Sequence, residues 1–541
     1  MRKALGGMIR IRSVLLILCG MIVASFGLTN ATAQDVDLSF LQTRAEASDY
    51  EQTTGYDEAI GFLEVAEAQS SDLHLTHFGY SLEGRKLPLV VWGAESAHPE
   101  SVVGDSRLRI FIQANIHAGE VCGKDAMLAL IRDLASGRYE SWKESVILLI
   151  APIYNVDGNE RVSLYNRPRQ NGPVGGMGQR PNAQDLDLNR DHMKLASPEA
   201  RSLVGMMKVY DPHVLIDLHT TNGTRHGYHL TYSPPLNPNT DPAIDGLLRD
   251  RLLPDVTDSI KEQYGWESYY YGNLPFRSGD PGWYTFDHRP RFNNNYVGLR
   301  NRVAILSEAY AYAPYRERVL ASRAFVEEIV TWSSQNVSSI QAAIVDASEK
   351  DLAGTSFGVR AEHKASDEPV DILLGEADMV RNPYSGAPMF VMNNETRIQS
   401  MTEYGAFTPT ESVTLPGSYV VLPEARGLRE LLDDHGIRYE VASQPATASG
   451  ERFAIDSTQV SEREFQGVQE RTLFGRYVAE QVSIPVGALV VPVNQPLGRL
   501  AAYLLEARSD DGVVNWGKVD RYVDQNNAYP VLRLPMKNTG Q

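Results

Sequence analysis

Short apolar runs alternate with stretches of helical periodicity through the first two thirds of the chain. The runs Ile110–Ala114, Val146–Ile150, Val214–Leu218 and Val303–Leu306 are rich in β-branched residues and end in polar ones, the pattern of buried strands. Leu73–Phe78 and Lys86–Trp92 alternate around the turn Leu82-Glu-Gly-Arg85, which predicts a hairpin. Between these runs, Ile60, Leu63, Val65 and Ala66 share one side of a helix, and Lys124–Leu134 repeats apolar residues at helical spacing. Ser197-Pro-Glu199 opens a helix to Met207, a further helix is predicted near Ile244–Tyr264, and Arg316–Val337 reads as one long amphipathic helix closing the domain. From Thr220 to Arg300 the pattern weakens under Pro, Gly, Asn and Tyr. Strands interleaved with helices predict an α/β domain over residues 34–340. Beyond it, strand signals at Tyr419–Leu422 and Ala488–Val493 and a helix at Gly427–His435 predict an α+β or β-rich accessory domain, residues 341–541, without a fixed repeat.

Composition changes the picture at the N-terminus. Arg2, Lys3, Arg10 and Arg12 precede the apolar run Val14–Leu28, which closes on Ala31-Thr-Ala33, so residues 1–33 read as a secretory signal peptide cleaved after Ala33. Cys19 does not fit lipid attachment, because Leu18 is large where a small residue is needed. Cleavage leaves no stable membrane insertion, and a secreted or periplasmic location follows. Without these residues the net charge falls from −17 to −21, with 47 basic against 68 acidic residues, which disfavours a nucleic-acid partner. Cys122 is then the only cysteine. An exported chain with one thiol has no intramolecular disulfide and depends on its core, where Cys122 is expected as a small packed residue.

Chemistry enters at the ends of the strands. In open α/β sheets ligands sit beyond the carboxyl ends of strands, and there the chain places His117 and Glu120, then His219 after Val214–Leu218. Two imidazoles and a carboxylate suit zinc, whose catalytic sites take three protein ligands and keep a fourth position open. One zinc per chain, held by His117, Glu120 and His219, is the expected cofactor.

The wider set of motifs resembles the zinc carboxypeptidase family typified by carboxypeptidase A. Over residues 50–340 the chain carries Ser81-Leu-Glu-Gly-Arg85, His117-x-x-Glu120, Asn155-Val-Asp-Gly158, Asp187-Leu-Asn-Arg190, His219 and the late Glu308 in the family's order. Asn155-Val-Asp-Gly158 departs from the family's N-P-D-G, but such a turn does not require the proline. The resemblance implies an α/β fold with a central mixed β-sheet flanked by helices. It further implies Glu308 as the general base, Asp187 as the acceptor for the first ligand histidine, and Asn189 with Arg190 as the grip on a terminal carboxylate. Arg169 matches the arginine that polarises the scissile carbonyl, with Arg167 second. Tyr296, ahead of Tyr284, matches the family's mobile tyrosine. Gly119 departs from the arginine that stands between the two ligands in carboxypeptidase A, and Glu317 is already explained by its place at a helix start.

Together these features predict a secreted zinc metallopeptidase of the carboxypeptidase type, acting on a peptide or peptide-like substrate beside a free carboxylate. A zinc deacylase of small N-acyl amino acids and an inactive binding module are the alternatives. Residues 341–541 carry no ligand set of their own and are expected to shape or gate access. The sequence leaves the oligomeric state open.

Overall fold

The computed structural model describes residues 36–275 and 281–536. The predicted signal peptide and its cleavage point lie outside the described residues. No helix among the described residues is long and apolar enough to cross a membrane.

The framework is an eight-stranded sheet built from β1 (Leu73–Tyr80), β2 (Lys86–Trp92), β3 (Leu108–Ala114), β4 (Val146–Ala151), β5 (Val214–Thr220), β6 (Leu230–Ser233), β7 (Ser268–Tyr270) and, past the short β8 (Trp283–Tyr284), β9 (Val303–Ala309). Its order is β1-β2-β4-β3-β5-β9-β6-β7. The central strands β4, β3, β5 and β9 run parallel, while β2 joins β4 and β6 joins β9 antiparallel. This is the mixed sheet expected. Every residue of β3, β4 and β5 is buried, as in parallel strands covered on both faces.

Strand alternation divides the two faces. Leu218 points to the helix Cys122–Ala135, where Gly123 lets backbone and sheet approach: a Cβ there would lie 2.7 Å from Leu218 Cβ. Asp217 and His219 point the other way, toward the helix Asn293–Leu299, whose Asn293 amide donates to Asp217 Oδ2 at 3.2 Å. Helix starts follow their sequence signals. Ser197 accepts from the Ala200 amide ahead of Pro198–Tyr210, with proline in the first turn where its missing N–H costs nothing.

Several segments differ from expectation. Asn155–Gly158 is not a simple turn: Asn155 accepts from the Gly158 amide and starts a short helix, Val156–Glu160. The long helix expected over 316–337 is Tyr315–Gln335, and a second helix not expected from the sequence, Val337–Glu349, follows it after Asn336. The weakly patterned 220–300 region contains three short strands and the helices Pro242–Leu247, Leu253–Tyr264 and Asn293–Leu299.

After residue 350 the chain is β-rich. Two antiparallel hairpins come first, Ser356–Lys364 with Ala406–Thr414 and Val370–Arg381 with Pro388–Met401. A six-stranded sheet follows, including a long hairpin of Ala446–Phe465 and Val468–Ile484. Glu403–Tyr404 pairs with β8, and a common core runs across both regions, so the described residues form one compact unit.

The close approach at Gly123 gives a test of this packing. Gly123→Ala is expected to destabilise the fold by about 1–3 kcal/mol, the usual cost of overpacking, because the new methyl must displace Leu218 on the strand that carries His219. Urea unfolding checks this, and an unchanged midpoint contradicts the packing described.

Candidate active site

Three adjacent parallel strands deliver the site. The chain leaves β3 through Asn115, whose positive φ of 66° redirects it, and the Glu120 amide donates to His117 O at 2.9 Å, closing a tight turn. β5 ends with Asp217 and His219 on one face, and β9 places Glu308 directly opposite His219 in register. Candidate donor atoms of His117, Glu120 and His219 lie within 4.8 Å of one another, and all three residues are buried.

Each histidine is backed by a carboxylate. His117 Nε2 donates to Asp187 Oδ1 at 3.0 Å, and His219 Nε2 lies 3.0 Å from Asp217 Oδ2, within ion-pair reach but out of hydrogen-bond alignment. Such partners fix the tautomer and direct the other ring nitrogen, Nδ1, to the ligand. Both Nδ1 atoms then face Glu120, at 3.0 Å from Oε1 for His117 and 2.9 Å from Oε2 for His219. Two lone pairs set against two carboxylate oxygens repel unless they share a cation. The donor set therefore fits a divalent metal, zinc by its nitrogen and oxygen chemistry.

The surrounding charges point the same way. Burial works against the Glu120 carboxylate, but His117, Arg167 and His219 outweigh it and hold it well below the usual range. Asp187 is likewise held down against burial by His117, Arg180 and Arg190. Burial would depress His219, yet Asp217 and Glu120 raise it well above an ordinary histidine. Two carboxylates held ionised beside a histidine that is held protonated make a site that also favours a metal cation in the proton's place.

Glu308 is different. Burial pushes its carboxyl up to about 8, against the pull of His219 and with the help of Glu120's charge. Its Oε2 is buried and has no hydrogen-bond partner. Metal candidates, Glu308, Asn189 and Arg190 all line one cavity of about 190 Å³, together with Arg167, Arg180, Tyr271, Phe286 and Phe292. The Arg190 guanidinium lies 3.8 Å from the centre of the Phe292 ring, so its orientation is fixed by stacking. Burial lowers it to about 10, which leaves it a cation at neutral pH.

Arg169 and both candidate tyrosines singled out in the sequence do not reach this cavity. Arg169 is exposed, and its carbonyl accepts from the Phe390 amide. Arg167 takes the position facing the site, its Nη2 donating to Glu120 Oε1 at 2.5 Å. With only Pro168 between the two arginines, sequence spacing could not rank them. Tyr296 is fully buried elsewhere, 2.8 Å from His435 Nδ1. Tyr284 stacks on Tyr404 at 4.1 Å, also away from the cavity. The tyrosine that lines it is Tyr271, just past β7.

At Gly119 a Cβ would meet Gly178 O at 2.8 Å and Arg167 Cγ at 3.0 Å, so Arg167 occupies the space a larger residue would need. Cys122 packs 3.2 Å from Thr220 Oγ1, as a small buried residue should. Glu317 sits in the first turn of Tyr315–Gln335, outside the cavity lining.

Sequence reasoning missed Asp217, Arg180 and Tyr271. Asp217 was within reach, since a residue two before a strand-end ligand shares its face. Arg180 was hidden in the long irregular segment between Val156–Glu160 and Leu188; its Nη2 donates to Asp187 Oδ2 at 2.7 Å.

Residues 60–221 match the family model described as zinc carboxypeptidase. Carboxypeptidase 2 of Trichophyton equinum is 23% identical over 480 residues, covering 84% of this chain and 81% of that protein. Carboxypeptidase 2 of Trichophyton rubrum is 23% identical over 501 residues, covering 88% and 85%. At that coverage the likeness extends past residue 340. Among solved structures, a metallo-carboxypeptidase from Pseudomonas aeruginosa in complex with (2-guanidinoethylmercapto)succinic acid aligns with a TM-score of 0.37 and 18% identity over 53% of this chain and 70% of that one. Carboxypeptidase A from Helicoverpa armigera gives 0.39 and 16% over 57% and 77%.

The backing carboxylate of His219 offers a direct test. Asp217→Asn keeps the shape but removes the charge, and should weaken zinc binding by about 10–100-fold, the usual effect of such partners. Chelator competition measures this; unchanged affinity means that Asp217 does not support a metal ligand.

Proposed function

We propose that this chain, which belongs to the zinc carboxypeptidase family, is an exported zinc-dependent metallocarboxypeptidase that hydrolyses the peptide bond next to a free terminal carboxylate. One observation carries the reading: Arg190, fixed on Phe292, shares a single cavity with the His117, Glu120 and His219 cluster and with the unpartnered Glu308 oxygen. His117, Glu120 and His219 would hold the metal. A zinc ion, when bound, supplies a Lewis acid that polarises a carbonyl and makes water more acidic.

The chain's own residues supply the rest. Arg190 offers a planar fork that matches a carboxylate's two oxygens, and Asn189 lines the cavity beside it. This grip places the last peptide bond of a substrate near the buried end of the cavity. Arg167, in the role first assigned to Arg169, is placed to stabilise the negative charge that develops on the carbonyl oxygen. Glu308 takes a proton from the attacking water and delivers it to the leaving nitrogen as the C–N bond breaks. The carboxyl is protonated more readily than usual because it is buried. His219, Arg167 and Arg180 pull the other way, toward the ionised form that can accept a proton.

Export rests on the N-terminal pattern of residues 1–33, and a peptide or peptide-like substrate rests on the Arg190 grip. A panel of peptides with free and amidated C-termini, with N-acyl amino acids beside them, tests the substrate class. Free-ended peptides should be turned over best, and a preference for acyl amino acids would favour the deacylase instead.

Two substitutions separate the roles. Glu308→Gln should keep parental zinc content while kcat falls by about 100–10,000-fold, the range of general acid and base catalysis. A Gln variant with parental kcat removes Glu308 from the chemistry. Arg190→Lys keeps the charge but loses the fork, and should reduce kcat/KM for free-ended peptides about 10-fold or more while leaving amidated ones unchanged. An unchanged ratio of free to amidated turnover contradicts the carboxylate grip.

A further inference from the structure

The long C-terminal hairpin ends at the active site. Its strands, Ala446–Phe465 and Val468–Ile484, are joined by Gln466 and Gly467, and the tip carries Gln466 against the loop that leads to Arg190. Gln466 Oε1 accepts the Asp187 amide N–H at 2.7 Å. Asp187 is the residue whose Oδ1 accepts from His117 Nε2 and from the Asn189 amide, at 3.0 and 2.9 Å. One glutamine from a segment 279 residues away in sequence therefore anchors the backbone of a carboxylate that orients both a metal-ligand candidate and the substrate-grip loop.

The tip itself is built in a way its local sequence does not favour. Gln466 has φ of 53° and Gly467 φ of 78°. Two-residue hairpin turns of this kind prefer Asn or Gly at the first position, and a residue with an ordinary side chain seldom takes positive φ. Strain of this kind points to a residue retained for its side chain. Neighbouring contacts strengthen the joint: Glu470 Oε1 and Asp511 Oδ1 accept from Arg291 at 2.7 and 2.8 Å, and Arg291 precedes the Phe292 ring on which Arg190 lies.

We propose that Gln466 is a positioning residue of the active site, holding Asp187 through its backbone so that the carboxylate keeps His117 aimed at the metal. The inference rests on the reading of His117, Glu120 and His219 as zinc ligands. It revises the expectation that residues 341–541 serve only to shape or gate access, because this region then forms part of the support for the ligand set. Removing the acceptor leaves the Asp187 N–H unpaired and frees the loop to turn the carboxylate away.

The test uses the full chain and zinc alone, with affinity and release rate read by chelator competition. Gln466→Met keeps length and removes the acceptor; Gln466→Glu keeps an acceptor oxygen at the same reach. Met is expected to weaken zinc binding about 10-fold and speed release correspondingly, at the low end of the effect of losing an outer partner. Glu is expected to stay within about 3-fold of the parent, and metal-free urea midpoints to stay unchanged. Should Met also lower the metal-free midpoint, an Asp187→Ala background decides: the Met effect disappears there if it acts through Asp187 and persists in full if Gln466 only supports the fold, which overturns the proposal. A parent that retains zinc beside a Met variant of equal affinity overturns the role of Gln466 alone. A parent that retains no zinc overturns the metal site, and this role with it.

Discussion

Four carboxylates, three of them buried and the fourth, Glu308, half-buried, gather at the carboxyl ends of the central strands, and the site follows from what it takes to keep them there. An ionised carboxylate withdrawn from water must gain a cation or a full set of donors, or it takes up a proton instead. Asp187 has His117, Arg180 and the Asn189 amide. Asp217 has His219, Gln113 and Asn293. Glu120 has Arg167 and the Thr220 amide as donors, and its two oxygens face the Nδ1 atoms of both histidines. Glu308 has a buried oxygen with no partner. A divalent cation among His117, Glu120 and His219 supplies the charge this arrangement still calls for, and leaves Glu308 free to carry a proton.

The same constraint explains why the site sits where it does. Only the carboxyl ends of neighbouring parallel strands bring Glu120, His219 and Glu308 together without long connections, and the register of β5 with β9 sets His219 opposite Glu308. The loop between β4 and the helix Pro198–Tyr210 then contributes the arginines. Their fork geometry suits them both to the buried carboxylates and to a substrate's terminal carboxylate.

Much of this was legible from the sequence. β3, β5 and β9 announced themselves as apolar runs, and a polar residue at the end of each marked His117, His219 and Glu308. The resemblance added Asn189 and Arg190, which the fold brings to the cavity, and Asp187, which it sets behind His117. The failures have physical reasons. Arg167 and Arg169 are chemically identical and two residues apart, so only the path of the loop decides which faces Glu120. Tyr296 was chosen for its nearness in sequence to Glu308, but a seven-residue helix carries it into the core while Tyr271 arrives from the opposite edge of the sheet. Gln466 could not be found from its own neighbourhood, because its partner is distant in sequence and its role depends on the length of a hairpin.

The central claim is that two imidazoles and one carboxylate hold the metal while the buried Cys122 thiol stays out of its reach. Zinc-edge X-ray absorption of the purified, zinc-loaded chain tests this directly. The account predicts two imidazole nitrogens and a carboxylate oxygen at about 2.0–2.2 Å, with no sulfur in the first shell. A sulfur scatterer at about 2.3 Å, which a cysteine or a methionine would provide, or a signal from a single imidazole, would contradict it.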